Sequence, residues 1–295
     1  MNSFTFKAIG TTWNINISAD ISNAKEEKLI EDIMERIDIF DKTYSRFKND
    51  SLVANISKKA GKYVLPNDAK PMLSLYQKLY EITDGAMSPL VGQVLSDAGY
   101  DTDYSLKPKK NIPPAPMWDE IIEYKHPILH IKKPALLDFG AIGKGYLVDI
   151  VGNIITKHGI MTFTVDAGGD ILYKNENKKP LRVGLENPEN QKQVVGIANI
   201  NDRSICGSAS NRRRWKNYHH IINPKTVKSP EHILALWTVA ENTMLADALS
   251  TALFFVEPEI LLQKFKFDYA ILYADHSARV SSAFPGHFFG AEKIV

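Results

Sequence analysis

Leu137-Asp-Phe-Gly-Ala-Ile-Gly-Lys-Gly-Tyr-Leu-Val-Asp149 joins an apolar run to a helix through Gly140, Gly143 and Gly145, a lysine and an acid. Glycines in these places let main chain approach a ligand without Cβ interference, and the N–H groups that open the following helix attract anions. The segment is not a standard nucleotide signature. A Walker loop needs glycine five residues before its Gly-Lys pair and Ser or Thr after it, where this chain has Asp138 and Gly145. The dinucleotide fingerprint also fails, because Val148 takes the place of its third glycine. Two readings remain: a phosphate-binding turn of another kind, or an ordinary strand-to-helix corner.

Working outward, Tyr146, Leu147, Ile150, Val151, Ile154 and Ile155 give the helix an apolar stripe that stops near His158-Gly159. A strand then runs into Asp166-Ala-Gly-Gly-Asp170. Strands are expected at 181–186, 193–200, 203–208 and 235–241, then a helix over about 245–256, another after Pro258, and a closing hairpin of 268–274 with 278–284. Upstream, residues 4–18 alternate as a strand pair bent at Ile9-Gly10. Asn23 as N-cap with Glu26 starts a helix with Leu29, Ile30, Ile33, Met34 and Ile37 inward. Asn67 opens another, with Met72, Leu75, Tyr76, Leu79 and Ile82 inward and an end before Gly85. Residues 100–118, rich in proline and lysine, read as an irregular surface connection. Strands in runs with single helices between them predict an α+β fold with a largely antiparallel sheet and packed helices. The expectation is a single domain over 1–295, built as one body or as two interlocked lobes.

Composition narrows the function classes. The 295 residues are 44% hydrophobic, enough for a full core, and a formal net charge of +2 gives no whole-chain reason to bind nucleic acid or an anionic membrane. The longest apolar runs are far short of the ~20 residues that span a bilayer. No signal segment or lipoprotein cysteine is visible near the N-terminus, so the expected location is cytoplasmic, or that of a trimmed exported protein. The single cysteine, Cys206, rules out an internal disulfide and reads as a buried strand thiol.

Several residues carry candidate chemistry. Asp247 and Thr251 lie four apart on a predicted helix, where they share a face and suit magnesium, or else cap and pack the helix. His219-His220 precedes a turn; an imidazole there can serve as a base, or either ring can be structural. Asp166 and Asp170 flank a glycine turn that lines a cation or simply forms a tight hairpin. Arg212-Arg213-Arg214-Trp215-Lys216 meets phosphate or an acidic partner, or is a solvated hairpin. Phe47 stacks on a planar ring or is an edge aromatic of the core.

Together, in order, these segments resemble the ApbE family of FAD:protein FMN transferases. The carriers are Ile9-Gly-Thr-Thr12, Tyr44-Ser-Arg-Phe-Lys-Asn-Asp-Ser51, Thr83-Asp-Gly-Ala-Met-Ser-Pro-Leu-Val-Gly92, Leu137 to Asp149, Val165 to Ile171, His220-Ile-Ile-Asn-Pro-Lys-Thr226 and Ala246-Asp-Ala-Leu-Ser-Thr-Ala-Leu253. The resemblance implies an ApbE-like, T-fold-like architecture. It also implies transfer of FMN from FAD to a Thr or Ser hydroxyl of an acceptor flavoprotein subunit, forming a phosphoester and releasing AMP. By the same matching, Mg²⁺ is held by Asp247, Thr251 and the Ala141 carbonyl, and FAD is contacted by Ile9, Phe47, Ala86, Met87, Ser88, Asp138, Lys144 and Ile222. His220 is the implied general base. Ile9 replaces the family's methionine, Ser88 and Asn223 replace aspartates, and Val227 stands where a turn glycine is common. Rival readings are a magnesium-dependent FAD pyrophosphatase and a non-catalytic FAD-binding protein.

Overall fold

Eight strands form the central sheet in the order in which the chain reaches them: Asn2–Ala8, Thr11–Ile17, Phe163–Ala167, Asp170–Lys174, Ser204–Ala209, Ile233–Ala240, Asp268–Tyr273 and Ala278–Val280. Every neighbouring pair is antiparallel. The computed structural model describes residues 2–290; residues 1 and 291–295, at the ends of the predicted 1–295 domain, lie outside the described residues.

The sheet is covered on both faces, which explains the near-continuous apolar run of Ile233–Ala240. Leu236 and Ala240 face the helices, and between them Thr238 donates its hydroxyl to the Ala246 carbonyl at 2.6 Å. The alternate residues Ala235, Trp237 and Val239 face a second, three-stranded sheet of Leu181–Asn187, Asn190–Ile200 and Gly286–Phe288. The helices Gly143–Lys157 and Thr243–Ala252 lie directly on the first face, and Asn23–Tyr44 packs outside them. A third small sheet, Gly61–Val64, Ile122–Lys125 and Ile128–Ile131, is built from the segment between the second and third strands. Among the described residues no helix is long and apolar enough to cross a membrane.

The α+β reading and its antiparallel sheet hold, and most boundaries fall close. The differences have local causes. Ser22, not Asn23, caps the first long helix, its hydroxyl accepting from the Lys25 N–H at 3.4 Å; Asp68, not Asn67, precedes Ala69–Ile82. Thr243–Ala252 begins two residues earlier than expected because Asn242 accepts from the Leu245 N–H at 2.8 Å, and it ends where Phe254 bonds back to the Thr251 carbonyl. The run before Gly140 is not a strand. It is an extended segment pinned by the Asp138 N–H to the Pro89 carbonyl at 2.7 Å, so the strand-to-helix corner is corrected to a coil-to-helix turn. Helix Leu52–Lys58 and the third sheet were not anticipated.

Candidate functional site

One cleft of about 1160 Å³ opens between the helical layer, the central sheet and the 83–92 and 212–227 loops. All twelve site residues that the resemblance implies line it: Ile9, Phe47, Ala86, Met87, Ser88, Asp138, Ala141, Lys144, His220, Ile222, Asp247 and Thr251. Sequence separations of up to 242 positions collapse here, and the docking of the two covering helices brings Lys144 to Asp247.

That docking is a reciprocal clasp. Asp149, on the first helix, accepts from the Thr243 and Met244 N–H groups at 2.8 Å each, and Asp247, on the second, accepts from the Gly145 N–H at 2.8 Å. Each carboxylate answers unpaired donors in the other helix's first turn and complements its dipole. Gly145 makes the approach possible: a Cβ there would stand 2.4 Å from the Thr243 carbonyl oxygen and 2.6 Å from Asp247 Cβ. The expectation that this glycine clears a path for ligand is therefore revised, since what comes close is the neighbouring helix. Burial raises the pKa of Asp149 and of Asp247; the Met244 and Thr243 N–H groups oppose it for the first, and Lys144 and the Gly145 N–H for the second.

Asp247 is buried, Thr251 half-buried on the same helix, and Ala141 stands in the turn before the other helix. The Tyr76 hydroxyl closes this corner and donates to the Asp138 carbonyl at 3.1 Å. Among the described residues no three His, Cys, Asp or Glu side chains gather as a metal cage. One carboxylate, one hydroxyl and one carbonyl make a sparse, hard-oxygen set, which fits magnesium sharing its coordination with water and substrate phosphate. Lys144 pairs with the buried Asp170. Asp166 and Asp170 themselves form the hairpin reading, with Gly168 at φ +66°, Gly169 at φ +100° and the Gly169 N–H donating to Asp166 at 2.9 Å.

The histidines divide cleanly. His219 is buried; its Nε2 donates to the Pro230 carbonyl at 2.8 Å and its Nδ1 accepts from the Ile221 N–H, so both nitrogens are committed to structure. Burial lowers its pKa. His220 lines the cleft, and its Nδ1 donates to the Arg212 carbonyl at 2.9 Å, the tautomer that leaves Nε2 as an acceptor. Burial, and secondly the Arg213 guanidinium, push its pKa down to about 3, so the free protein holds it neutral. The basic run divides between the protein surface and the cleft. Arg212 and Arg214 pair with Glu186 and Glu231 on the hairpin, while Arg213, at φ +49°, turns toward Tyr100 in the cleft.

A family model described as the ApbE family matches residues 9–270. The chain belongs to the ApbE family. It is similar to the FAD:protein FMN transferases of Klebsiella pneumoniae and Escherichia coli strain K12, each 27% identical over 86% of this chain and 78% of theirs. Its fold is similar to that of the flavin transferase ApbE from Vibrio cholerae, with a TM-score of 0.81 at 21% identity over 96% of this chain and 97% of that one. The ApbE protein from Thermotoga maritima gives 0.79 at 22% identity over 95% and 97%.

Of the departures from the ApbE pattern, Val227 is at φ +58° and Ile9 at φ +40°, conformations that β-branched residues adopt only under strain. Ser88 accepts from the Leu90 N–H at 3.2 Å, and Asn223 from the Lys225 N–H at 2.9 Å, so both serve local turns. Sequence reasoning missed Arg46, Tyr100 and Tyr104. Tyr104 stacks on Phe47, centroids 5.4 Å apart at 16°, and the Arg46 guanidinium carbon lies 4.2 Å from the centroid of the same Phe47 ring. The 100–118 connection is irregular as expected, yet it supplies a wall of the cleft. Its aromatic residues were the available signal.

Proposed function

We propose that this ApbE protein transfers FMN from FAD to a Thr or Ser hydroxyl of an acceptor flavoprotein subunit, with magnesium bound and AMP released. Supporting this are the activity named for its relatives and a cleft that joins an aromatic wall to a cationic and carboxylate floor. The observation that carries the mechanism is His220, held by the Arg212 carbonyl at Nδ1 with Nε2 left to accept.

The acceptor hydroxyl gives its proton to His220 Nε2 while its oxygen attacks the FMN-side phosphorus. The bond from that phosphorus to the bridging oxygen breaks, AMP leaves with that oxygen, and the proton passes from His220 to solvent. Negative phosphate beside the imidazole raises its pKa from the low value of the free protein toward neutrality. Lys144 stabilises pyrophosphate charge, and Asp170 fixes where its ammonium sits. Asp247, Thr251 and the Ala141 carbonyl hold magnesium, which when bound neutralises charge on the phosphate oxygens.

Incubation with FAD, magnesium and a Thr-containing acceptor peptide tests the proposal. Flavin joined covalently to the peptide is the expected product. Free FMN with unmodified peptide would make the protein a pyrophosphatase, and intact FAD retained by the protein would make it a binding protein.

A further inference from the structure

Arg46 is a cleft group to which the mechanism gives no task. It lines the cleft with a side chain only 2% exposed, and its Nε donates to Asp138 Oδ2 at 2.5 Å. Its guanidinium carbon lies 4.2 Å from the centroid of Phe47 and 4.8 Å from that of Tyr100. Nη2 is buried with no hydrogen-bond partner among the described residues. A guanidinium stays charged and offers five donors, so a buried donor left unanswered in a cleft wall points to an acceptor brought by a ligand.

The surroundings select the kind of acceptor. Asp138 pairs with Arg46, so the two together offer a donor beside an acceptor rather than a bare cation, and the Arg213 guanidinium carbon lies 5.8 Å from the centroid of the same Tyr100 ring. The adjoining walls are the flat rings of Phe47, Tyr100 and Tyr104. A donor and a carboxylate acceptor side by side, framed by aromatic rings, match the edge of a neutral planar heterocycle that carries an acceptor next to an N–H.

We propose that Arg46 is a specificity-determining residue: its Nη2 donates to a ring nitrogen or carbonyl on a heterocycle edge of the dinucleotide, and Asp138 accepts the neighbouring N–H. This rests on FAD being the substrate. Both ends of FAD carry such an edge, the adenine amino group beside a ring nitrogen and the flavin imide between two carbonyls, so the test separates them.

Calorimetry with magnesium and no acceptor, titrating FAD, AMP and FMN separately, reads binding without requiring transfer. Arg46→Met and Arg46→Lys are both expected to weaken FAD by about 10-fold or more. The loss falls on only one half, AMP if the edge is adenine and FMN if it is flavin. Changing the edge at that end, hypoxanthine for adenine or N3-methyl flavin for flavin, weakens binding to the wild type and much less to either variant. Arg46→Lys keeps charge without the fork and serves should Arg46→Met not fold. Folded variants that bind FAD within twofold of wild type, or that lose AMP and FMN equally, overturn the assignment. A fall in melting temperature with an unchanged ratio of FAD to edge-modified analogue does the same, leaving Arg46 a structural residue. A wild-type chain that binds neither FAD nor either half overturns the substrate reading and this one with it, whereas intact wild-type binding unaffected by the variants overturns only this one.

Discussion

Replacing Gly145 by alanine places a methyl group 2.4 Å from the Thr243 carbonyl oxygen and 2.6 Å from Asp247 Cβ. Neither neighbour is the free end of a flexible side chain, so the helices Gly143–Lys157 and Thr243–Ala252 must separate. Overpacking of this kind costs about 1–3 kcal/mol, and stretching the Gly145 N–H bond to the Asp247 carboxylate adds about 1–3 kcal/mol. Alanine's better helix propensity returns about 0.5–1 kcal/mol, leaving a net loss of about 1–5 kcal/mol. Urea unfolding followed by circular dichroism measures it as a lower midpoint at unchanged slope. Gly143→Ala is the control, because its added Cβ meets nothing nearer than Phe139 Cβ at 3.5 Å, and its midpoint stays level or rises. A Gly145→Ala protein as stable as Gly143→Ala would refute the reasoning, since propensity alone would then govern both sites.

Four further outcomes are expected. His220→Gln abolishes transfer to the acceptor peptide while FAD affinity by calorimetry stays within a few-fold of wild type; undiminished turnover would remove the imidazole from the mechanism. Asp247→Asn weakens magnesium binding measured by titration calorimetry in the presence of FAD, and unchanged binding would move the ion elsewhere. The His220 ring signal in NMR does not titrate between about pH 5.5 and 8 in the free protein, whereas an unperturbed imidazole changes near pH ~6.5. Because folding lowers the pKa of this group, the unfolded chain binds more protons below about pH 6.5, so its contribution to stability is full above that pH and is lost as pH falls toward the folded value. Comparison of the pH–stability profiles of wild type and His220→Gln detects this as a flatter acid limb in the variant.

What the sequence made legible is what repeats locally. The stripes of Leu29, Ile33 and Ile37, or of Met72, Leu75, Tyr76 and Leu79, announce helices because burial follows their period, although Met34, expected inward with the first, is exposed. Leu52–Lys58 and the four-residue strands of the third sheet are too short to establish a period. The order of motifs named the cleft residues, but not their relations to one another. That Asp149 serves Thr243, or that Gly145 yields space to Asp247, depends on contacts about a hundred positions apart, which no local pattern encodes. Arg46 was hidden for a related reason. Beside Phe47 it reads as an exposed charge until the Asp138 carboxylate and the Tyr100 ring close over it. The paired histidines show the converse: adjacency in sequence offered two equal candidates, and the alternation of the short strand Tyr218–His219 sent one into the interior and left the next at the cleft.

The clasp between Asp149 and Asp247 makes the cleft a joint property of two chain segments that are strangers in sequence. A break at the exposed Glu189 would leave Lys144, Asp138 and Phe47 on one fragment and His220, Asp247 and Thr251 on the other, each with a helix whose first turn donates hydrogen bonds to its counterpart. Neither piece would own the chemistry, yet each would present a surface shaped for reunion. The site therefore depends on closure between distant stretches of chain, and the same two carboxylates that cap the helices join its two halves.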